Sequence, residues 1–225
     1  MNQTTLRAMV FDLDGTLLNT IPDIAGALNR ALTAEGLPPR PLEDYGHIVG
    51  GGIREAIRRA APEGTPAETL DAINRRYQAD YPANCTVETD YYSGIQTLLR
   101  RLHESGVALA VITNKTENTA QRIVEHFFAD IPFRFVWGNN GERPLKPAAD
   151  AGKLACEALQ LPPEAVAFVG DSDVDMLFAV AAGFLPVGAA WGYRGAAELL
   201  RAGAVWLCGS PDGLLDQCRE AGLCR

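Results

Sequence analysis

The segment from Leu6 to Gly15 constrains the fold most, because an uninterrupted apolar run ends abruptly in two aspartates. Residues Leu6 to Phe11 predict a strand buried on both faces, as found inside a parallel sheet. Asp12 and Asp14 would repel each other there and lose hydration, which is costly unless a cation compensates. A hard divalent cation such as Mg²⁺, which prefers oxygen ligands, is the simplest compensation. The alternative is that the two aspartates only form an Asx turn or cap a helix.

The rest of the chain divides into two patterns. Nothing between residues 20 and 86 predicts a strand, and apolar spacing there favours one helix over 22–36 and another over 66–81. From residue 88 onward, helical and strand-like patterns alternate. The buried strands predicted in this second part are 107–112, 133–137, 165–169, 185–188 and 204–207.

This alternation predicts an α/β fold with a doubly wound, mostly parallel sheet, a Rossmann-like core with helices on both faces. We expect residues 1–18 and 88–225 to form that core, and residues 19–87 to form a small all-helical cap domain inserted after the first strand. Ligands bind such sheets at the carboxyl ends of the strands, near the point where strand order reverses. Thr113, Asn114 and Asp171 also follow predicted strands directly, so we expect them to meet Asp12 and Asp14 at one edge.

These residue types suit phosphoryl transfer. A carboxylate can attack phosphorus to form an aspartyl-phosphate, and a second carboxylate can protonate the leaving alkoxide and then activate water. Asp12 and Asp14 supply that pair. Thr113 and the amide of Asn114 can donate hydrogen bonds to phosphate oxygens, or can simply form a turn. Lys146, on a proline-stiffened loop, can neutralise developing negative charge, although an exposed lysine is usually solvated.

A second acidic group, Asp171, Asp173 and Asp175, follows the predicted strand 165–169. It superficially resembles a calcium-binding loop but lacks the glycine and the terminal glutamate of that motif. Asp171 comes first after the strand and is the predicted metal ligand. We expect Asp175 to orient the metal ligands without contacting the ion itself. We expect Asp173 to begin the next helix.

The ordered set Asp12-Leu-Asp-Gly-Thr, Thr113-Asn, Lys146-Pro and Gly170-Asp-Ser-Asp-Val-Asp resembles the four motifs of the haloacid dehalogenase-like phosphatase superfamily, over essentially the whole chain. The resemblance implies that Asp12 is the nucleophile and a Mg²⁺ ligand. It implies that Asp14 is the acid/base, with its backbone carbonyl on Mg²⁺, and that Asp171 completes the metal ligands. The phosphate-holding residues that it implies are Thr113, Asn114 and Lys146. Because the dehalogenases lack the second aspartate, we expect phosphate chemistry rather than dehalogenation.

Three further segments are similar to the phosphoglycolate phosphatases of that superfamily: residues 11–24, the loop 49–52 and the segment 191–193. The similarity implies hydrolysis of 2-phosphoglycolate to glycolate and phosphate. The helical insert between the first two motifs resembles the small α-helical cap of the first subclass of the superfamily. The glycines at 50–52, before a predicted helix, suit a substrate carboxylate, with Arg54 assisting. The alternative is a plain glycine-rich turn with Arg54 in solvent.

Other functions remain open at this point. A phosphomutase resembling β-phosphoglucomutase would use the same scaffold, and the substrate of a phosphatase could be another sugar phosphate, a nucleotide or pyrophosphate. A receiver-like signalling switch is a more remote alternative. Its aspartyl-phosphate must persist, whereas Asp14 would promote loss of the phosphoryl group.

Composition limits the partners. Twenty basic and 28 acidic residues give a net charge of −8, which argues against nucleic acid or an anionic membrane as the main partner. The net charge does not exclude the small anionic phosphorylated metabolite that the resemblance implies, because a pocket needs only a few local donors and a metal. The five cysteines show no metal-binding spacing and fit a reducing compartment. We expect no signal peptide and no membrane span, and therefore a cytoplasmic protein. We expect it to be a monomer or a homodimer.

Overall fold

The computed structural model describes residues 6–224. Its centre is a six-stranded sheet in which every neighbouring pair of strands is parallel. The strands of this sheet are β1 (Ala8–Phe11), β4 (Ala108–Thr116), β5 (Val136–Asn139), β6 (Val166–Gly170), β7 (Leu185–Ala189) and β8 (Trp206–Cys208). They lie in the order β5-β4-β1-β6-β7-β8, with β1 fully buried as its apolar sequence predicts.

Strand order reverses beside β1. The chain moves outward from β1 through β4 to β5 and then crosses back to β6 on the other side of β1. The register pairs Phe11 with Val111 on one side and with Val169 on the other, so β1 and β6 end nearly level, whereas β4 continues to Thr116. The predicted polar residues at these strand ends are therefore brought to one edge of the sheet.

Helices cover both faces of the sheet, as the doubly wound prediction requires. Met9 and Phe11 pack into one apolar cluster, and Ala8 and Val10 pack into another, because successive side chains of a strand point to opposite faces. The helices α5 (Ile95–Glu104), α6 (Glu117–Phe127) and α10 (Pro211–Glu220) contribute to the first cluster. The helices α7 (Asp150–Leu159) and α8 (Asp173–Ala182) contribute to the second. Another helix, α9 (Ala196–Arg201), lies between β7 and β8.

Residues 21–84, called here the helical segment, contain α1 (Ile21–Ala34), α2 (Tyr45–Ile48), α3 (Ile53–Ala60) and α4 (Ala67–Asn84). The structure describes all of residues 20–86 and assigns no strand there, as predicted. At the base of the segment, β2 (Leu18–Asn19) pairs antiparallel with β3 (Asp90–Tyr91). This short ribbon lies where the chain leaves the sheet and returns to it.

Asp23, in the first turn of α1, ties the start of the helical segment to its end. Its buried carboxylate accepts hydrogen bonds from the backbone N–H groups of Val87 (3.0 Å), Glu88 (2.9 Å) and Thr89 (2.9 Å). The two connections between the sheet and the helical segment are therefore held side by side by a charged side chain.

Several predicted boundaries are wrong. The strand predicted over 107–112 continues to Thr116, because the polar residues at 113–116 stay extended beside β5, with a register shift after Ile112. The helix predicted to end at Tyr81 runs through Pro82 to Asn84. The sequence pattern also did not predict α9 and α10.

Among residues 6–224, no helix combines the length and the apolar character that a membrane crossing needs.

Candidate active site

The carboxylates that follow β1 and β6 lie together at the point where strand order reverses. Asp12, Asp171 and Asp175 each place one oxygen within 4.8 Å of the others, and all three residues are buried. The predicted convergence of these distant residues is therefore present in the structure. Asp173 begins α8, as expected, and remains outside the group.

Glycines let the backbone pack directly against these carboxylates. Gly15 has a φ of +83°, and a Cβ there would lie 2.2 Å from Oδ2 of Asp171. A Cβ on Gly170 would lie 2.3 Å from Cβ of Asp175. A larger residue at either position would push a carboxylate out of place.

Lys146 is buried in the same cluster rather than solvated. Its Nζ lies 2.8 Å from Oδ1 of Asp12 and 2.7 Å from Oδ1 of Asp175. Burial by itself disfavours the charged amine, but the two carboxylates overcome that effect and raise the pKa of Lys146. The lysine therefore stays charged beside the predicted nucleophile.

One lysine does not balance three carboxylates. Burial raises the pKa of Asp12 from 3.8 to about 6, against the opposing charge of Lys146 and with help from Asp175 and Asp14. Burial, followed by the charges of Asp175 and Asp12, raises the pKa of Asp171 well above its usual value. The cluster therefore holds more negative charge than its protein surroundings stabilise.

The hydrogen bonds show which oxygens are available to a cation. Oδ2 of Asp175 accepts from the backbone N–H (3.0 Å) and the hydroxyl (2.6 Å) of Ser172, and its other oxygen contacts Lys146. Oδ2 of Asp171 accepts from the backbone N–H of Tyr193 at 2.7 Å. Oδ1 of Asp12 lies 2.8 Å from Nζ of Lys146 but accepts no well-aligned hydrogen bond. Within residues 6–224, the two carboxylate oxygens of this cluster with neither a hydrogen bond nor an ion pair are Oδ2 of Asp12 and Oδ1 of Asp171. These two oxygens fit a hard divalent cation such as Mg²⁺. Asp175, whose oxygens are already occupied, would orient the neighbouring groups without binding the ion.

The side chain of Asp14 points away from the three grouped carboxylates. It accepts a hydrogen bond from Oγ1 of Thr20 at 2.7 Å and lies 3.0 Å from Nζ of Lys115. The hydroxyl of Tyr193 in turn accepts from the backbone N–H of Thr20 at 2.9 Å. The metal role predicted for Asp14 therefore depends on its backbone carbonyl and stays a prediction.

The side chain of Asn114 positions the loop that carries Lys146. Its Oδ1 accepts from the backbone N–H of Lys146 (2.9 Å), and its Nδ2 donates to the carbonyl of the same residue (3.0 Å). A third contact runs from Nδ2 to the carbonyl of Gly50 in the helical segment, at 3.3 Å. Thr113 is buried in the preceding position of β4.

A cavity of about 50 Å³ lies between the carboxyl ends of β1 and β4 and the helical segment. The residues of the sheet side that line it include Asp12, Asp14, Thr113, Asn114 and Lys115, and those of the helical segment include Gly50, Gly52, Ile53, Tyr77 and Tyr81. Arg54 lies as the alternative with this residue in solvent predicts. Its side chain is 79% exposed, pairs with Asp71 at 3.3 Å and does not line this cavity.

Four residues of the site carry no role in the prediction from sequence: Thr20, Tyr81, Lys115 and Tyr193. Lys115 follows the Thr113-Asn114 pair directly, and that adjacency was the available signal. Tyr193 belongs to the segment 191–193, which is similar to the phosphoglycolate phosphatases, but that similarity assigns no role to the tyrosine. Nothing in the helical pattern of α4 distinguishes Tyr81 from a core tyrosine.

Comparisons with known proteins agree with this geometry. A model of the haloacid dehalogenase-like hydrolase family matches residues 9–189. The phosphoglycolate phosphatase of Pseudomonas putida is 36% identical over 195 residues, which cover 85% of this chain and 72% of that protein. The phosphoglycolate phosphatase of Cereibacter sphaeroides is 38% identical over 182 residues, covering 78% and 81%.

A solved structure extends the likeness to the whole fold. The crystal structure of a protein from Haemophilus somnus, described as a predicted phosphoglycolate phosphatase, superimposes with a TM-score of 0.87 at 27% identity, covering 94% of this chain and 97% of the other. The sequence motifs, the sheet topology and the clustered carboxylates therefore indicate the same family as these relatives do. The chain belongs to the haloacid dehalogenase-like hydrolases and, within that family, is a phosphoric monoester hydrolase.

Proposed function

We propose that this phosphatase hydrolyses 2-phosphoglycolate to glycolate and phosphate, with Mg²⁺ as cofactor and an aspartyl-phosphate on Asp12 as intermediate. The observation that carries the proposal is that Asp12 lies in one buried cluster with Asp171 and Lys146 and also lines the cavity, together with Asp14. The two phosphoglycolate phosphatases that are more than a third identical over the aligned residues support the choice of substrate.

Asp12 and Asp171 would hold Mg²⁺ through the oxygens that have neither a hydrogen bond nor an ion pair, together with the backbone carbonyl of Asp14. When bound, the ion would neutralise the clustered carboxylates and polarise the phosphoryl group. Lys146 would keep Asp12 ionised and would contact the phosphoryl oxygens beside it. Thr113, at the wall of the cavity, would donate its hydroxyl hydrogen to the phosphate.

In the first step, a carboxylate oxygen of Asp12 attacks phosphorus and the bond from phosphorus to the ester oxygen breaks. Asp14 gives its proton to that oxygen, so that glycolate leaves as an alcohol. In the second step, Asp14 takes a proton from water, and the water oxygen attacks phosphorus. The acyl-phosphate bond then breaks, which releases phosphate and regenerates Asp12. The hydrogen bond from Thr20 and the contact with Lys115 hold Asp14 in place for both steps.

We further propose that residues 19–87 act as a cap over the core formed by 1–18 and 88–225. The contact between Asn114 and Gly50 and that between Lys115 and Tyr81 both cross this boundary beside the cavity. A cap in that position would exclude water while the aspartyl-phosphate forms and would limit the size of the leaving group.

The test is phosphate release from a panel of esters by the purified full chain with Mg²⁺. The panel contains 2-phosphoglycolate, sugar phosphates, nucleotides and pyrophosphate, and 2-phosphoglycolate should give the highest kcat/KM. Asp12→Asn should abolish release, whereas Asp216→Asn, a change to a surface aspartate that pairs with Arg219, should not alter it. Full activity of Asp12→Asn would exclude the mechanism. Conversion of sugar 1-phosphate to 6-phosphate without phosphate release would favour the phosphomutase.

A further inference from the structure

We propose that Lys115 determines specificity by binding the carboxylate of the substrate, which makes the enzyme selective for phosphate esters of short hydroxy acids. The inference rests on the proposed function and deepens it. Its starting point is a lysine whose side chain is only 6% exposed and which nevertheless lines the cavity. A buried ammonium is costly, so its surroundings must supply acceptors.

The contacts of Lys115 leave part of its hydrogen-bonding capacity for a ligand. Its Nζ lies 3.0 Å from Oδ1 of Asp14 and donates to the hydroxyl of Tyr81 at 2.9 Å. An ammonium group has three hydrogens to donate. Within residues 6–224 only these two acceptors contact Nζ, so one donor remains for an anion in the cavity.

Other cations near the cavity are already paired. Lys146 lies between Asp12 and Asp175. In α3, Arg59 pairs with Glu55 and donates to the carbonyl of His47. Among the lining residues, which all belong to the described part of the chain, Lys115 is the one lysine or arginine. A carboxylate entering the cavity would therefore find its cationic hydrogen-bond donor in Lys115, through the hydrogen that neither Asp14 nor Tyr81 accepts.

The position of Lys115 relative to Asp14 matches the spacing of the proposed substrate. Asp14 must reach the ester oxygen to protonate it, and Lys115 contacts the same carboxylate group. In 2-phosphoglycolate a single methylene group separates the ester oxygen from the carboxylate carbon. One bound molecule can thus contact Asp14 through its ester oxygen and Lys115 through its carboxylate.

The walls of the cavity favour a short leaving group. Tyr77 and Tyr81, whose rings stack with centroids 4.9 Å apart, line the cavity on the side of the helical segment together with Ile53. These walls offer little space for a sugar or a nucleoside, so a charged group of a few atoms is the best complement.

The first arm of the test is a ratio of turnover rates. For wild type and Lys115→Met, kcat/KM is measured with 2-phosphoglycolate and with 2-hydroxyethyl phosphate, an ester of similar size whose leaving group is uncharged. Loss of a charged hydrogen bond should reduce the ratio of the two values by about 10- to 100-fold, mainly through KM for 2-phosphoglycolate. Lys115→Arg should restore part of the ratio. Lys153→Met, a change to an exposed lysine, should leave it unchanged.

The second arm measures binding without turnover. The dissociation constants of 3-phosphonopropanoate, a non-hydrolysable analogue of 2-phosphoglycolate, and of propylphosphonate are compared by calorimetry. Wild type should bind the carboxylate compound at least about tenfold more tightly, and Lys115→Gln should remove that difference. Equal binding of the two compounds by wild type would overturn the inference.

The two arms separate the two proposals. Absence of 2-phosphoglycolate hydrolysis by wild type would contradict the proposed function, while the phosphonate comparison would still decide the role of Lys115. Equal losses on both esters in Lys115→Met would mean that the lysine only positions Asp14, which would overturn the inference but not the proposed function. If Lys115→Met does not fold, Lys115→Arg and Lys115→Gln decide the matter.

Discussion

Nζ of Lys146 lies 2.8 Å from Oδ1 of Asp12, and this buried contact joins a loop after β5 to the end of β1. The pair places a permanent positive charge beside the proposed nucleophile. We expect Lys146→Met to lower kcat for phosphate release by at least about 100-fold, because the phosphoryl oxygens lose a charged donor. The measurement is steady-state phosphate release with Mg²⁺, with Lys153→Met as the matched control. Activity within a few-fold of wild type would contradict this role for Lys146.

The raised pKa of Asp12, about 6 against 3.8, predicts how stability depends on pH without metal. Because the folded state binds the proton more tightly, the contribution of Asp12 to stability is full below about pH 4 and is lost as pH rises through about 6. Metal-free protein should therefore lose roughly 2–3 kcal/mol of unfolding free energy over that range from this residue. Denaturant unfolding in EDTA measures it, and Asp12→Asn should lack this component.

Mg²⁺ should reverse that loss, since the ion binds ionised carboxylates and competes with protons. We expect the increase in Tm on adding Mg²⁺ to be larger at pH 7.5 than at pH 5. Asp171→Asn should show a much smaller increase at both pH values, and Asp216→Asn should behave as wild type. A pH-independent increase would mean that the ion binds elsewhere.

Asn114 should act through Lys146 as well as on the phosphate. Asn114→Ala removes both hydrogen bonds to the backbone of Lys146, so we expect a loss of about 1–3 kcal/mol in unfolding free energy. We also expect kcat to fall more than KM rises, because Lys146 is displaced from Asp12. Unfolding curves and steady-state kinetics on the same preparation test both effects. Wild-type stability in Asn114→Ala would show that the loop is held by other contacts.

Asp23 should be important for stability although it lies outside the cavity. Asp23→Ala leaves three backbone N–H groups without their carboxylate, and we expect it to cost about 2–3 kcal/mol of unfolding free energy. Asp23→Asn keeps one acceptor oxygen and should lose less. Chemical denaturation ranks the variants against Asp216→Asn. An equal effect of the alanine and asparagine substitutions would contradict the hydrogen-bond explanation.

Much of the core was predictable because local pattern and burial agree there. The apolar run before Asp12 could only be a buried strand, and the similar run before Asp171 needed the same environment. Parallel connections then place the ends of both strands at one edge. The extension of β4 to Thr116 was not predictable, because pairing with β5 keeps polar residues extended that would otherwise favour a turn.

The sequence by itself determined where the carboxylates stand relative to the strands, and the order of its motifs indicated phosphate chemistry. The tertiary structure decided the rest of the site. In that structure the side chain of Arg54 lies in solvent. Lys115 forms a hydrogen bond with Tyr81, 34 positions away, and Tyr193 forms one with Thr20, 173 positions away. A strand pattern is local, since it depends on neighbouring side chains. A contact between distant side chains depends on how helices and sheet pack, and packing sums weak interactions over the whole chain.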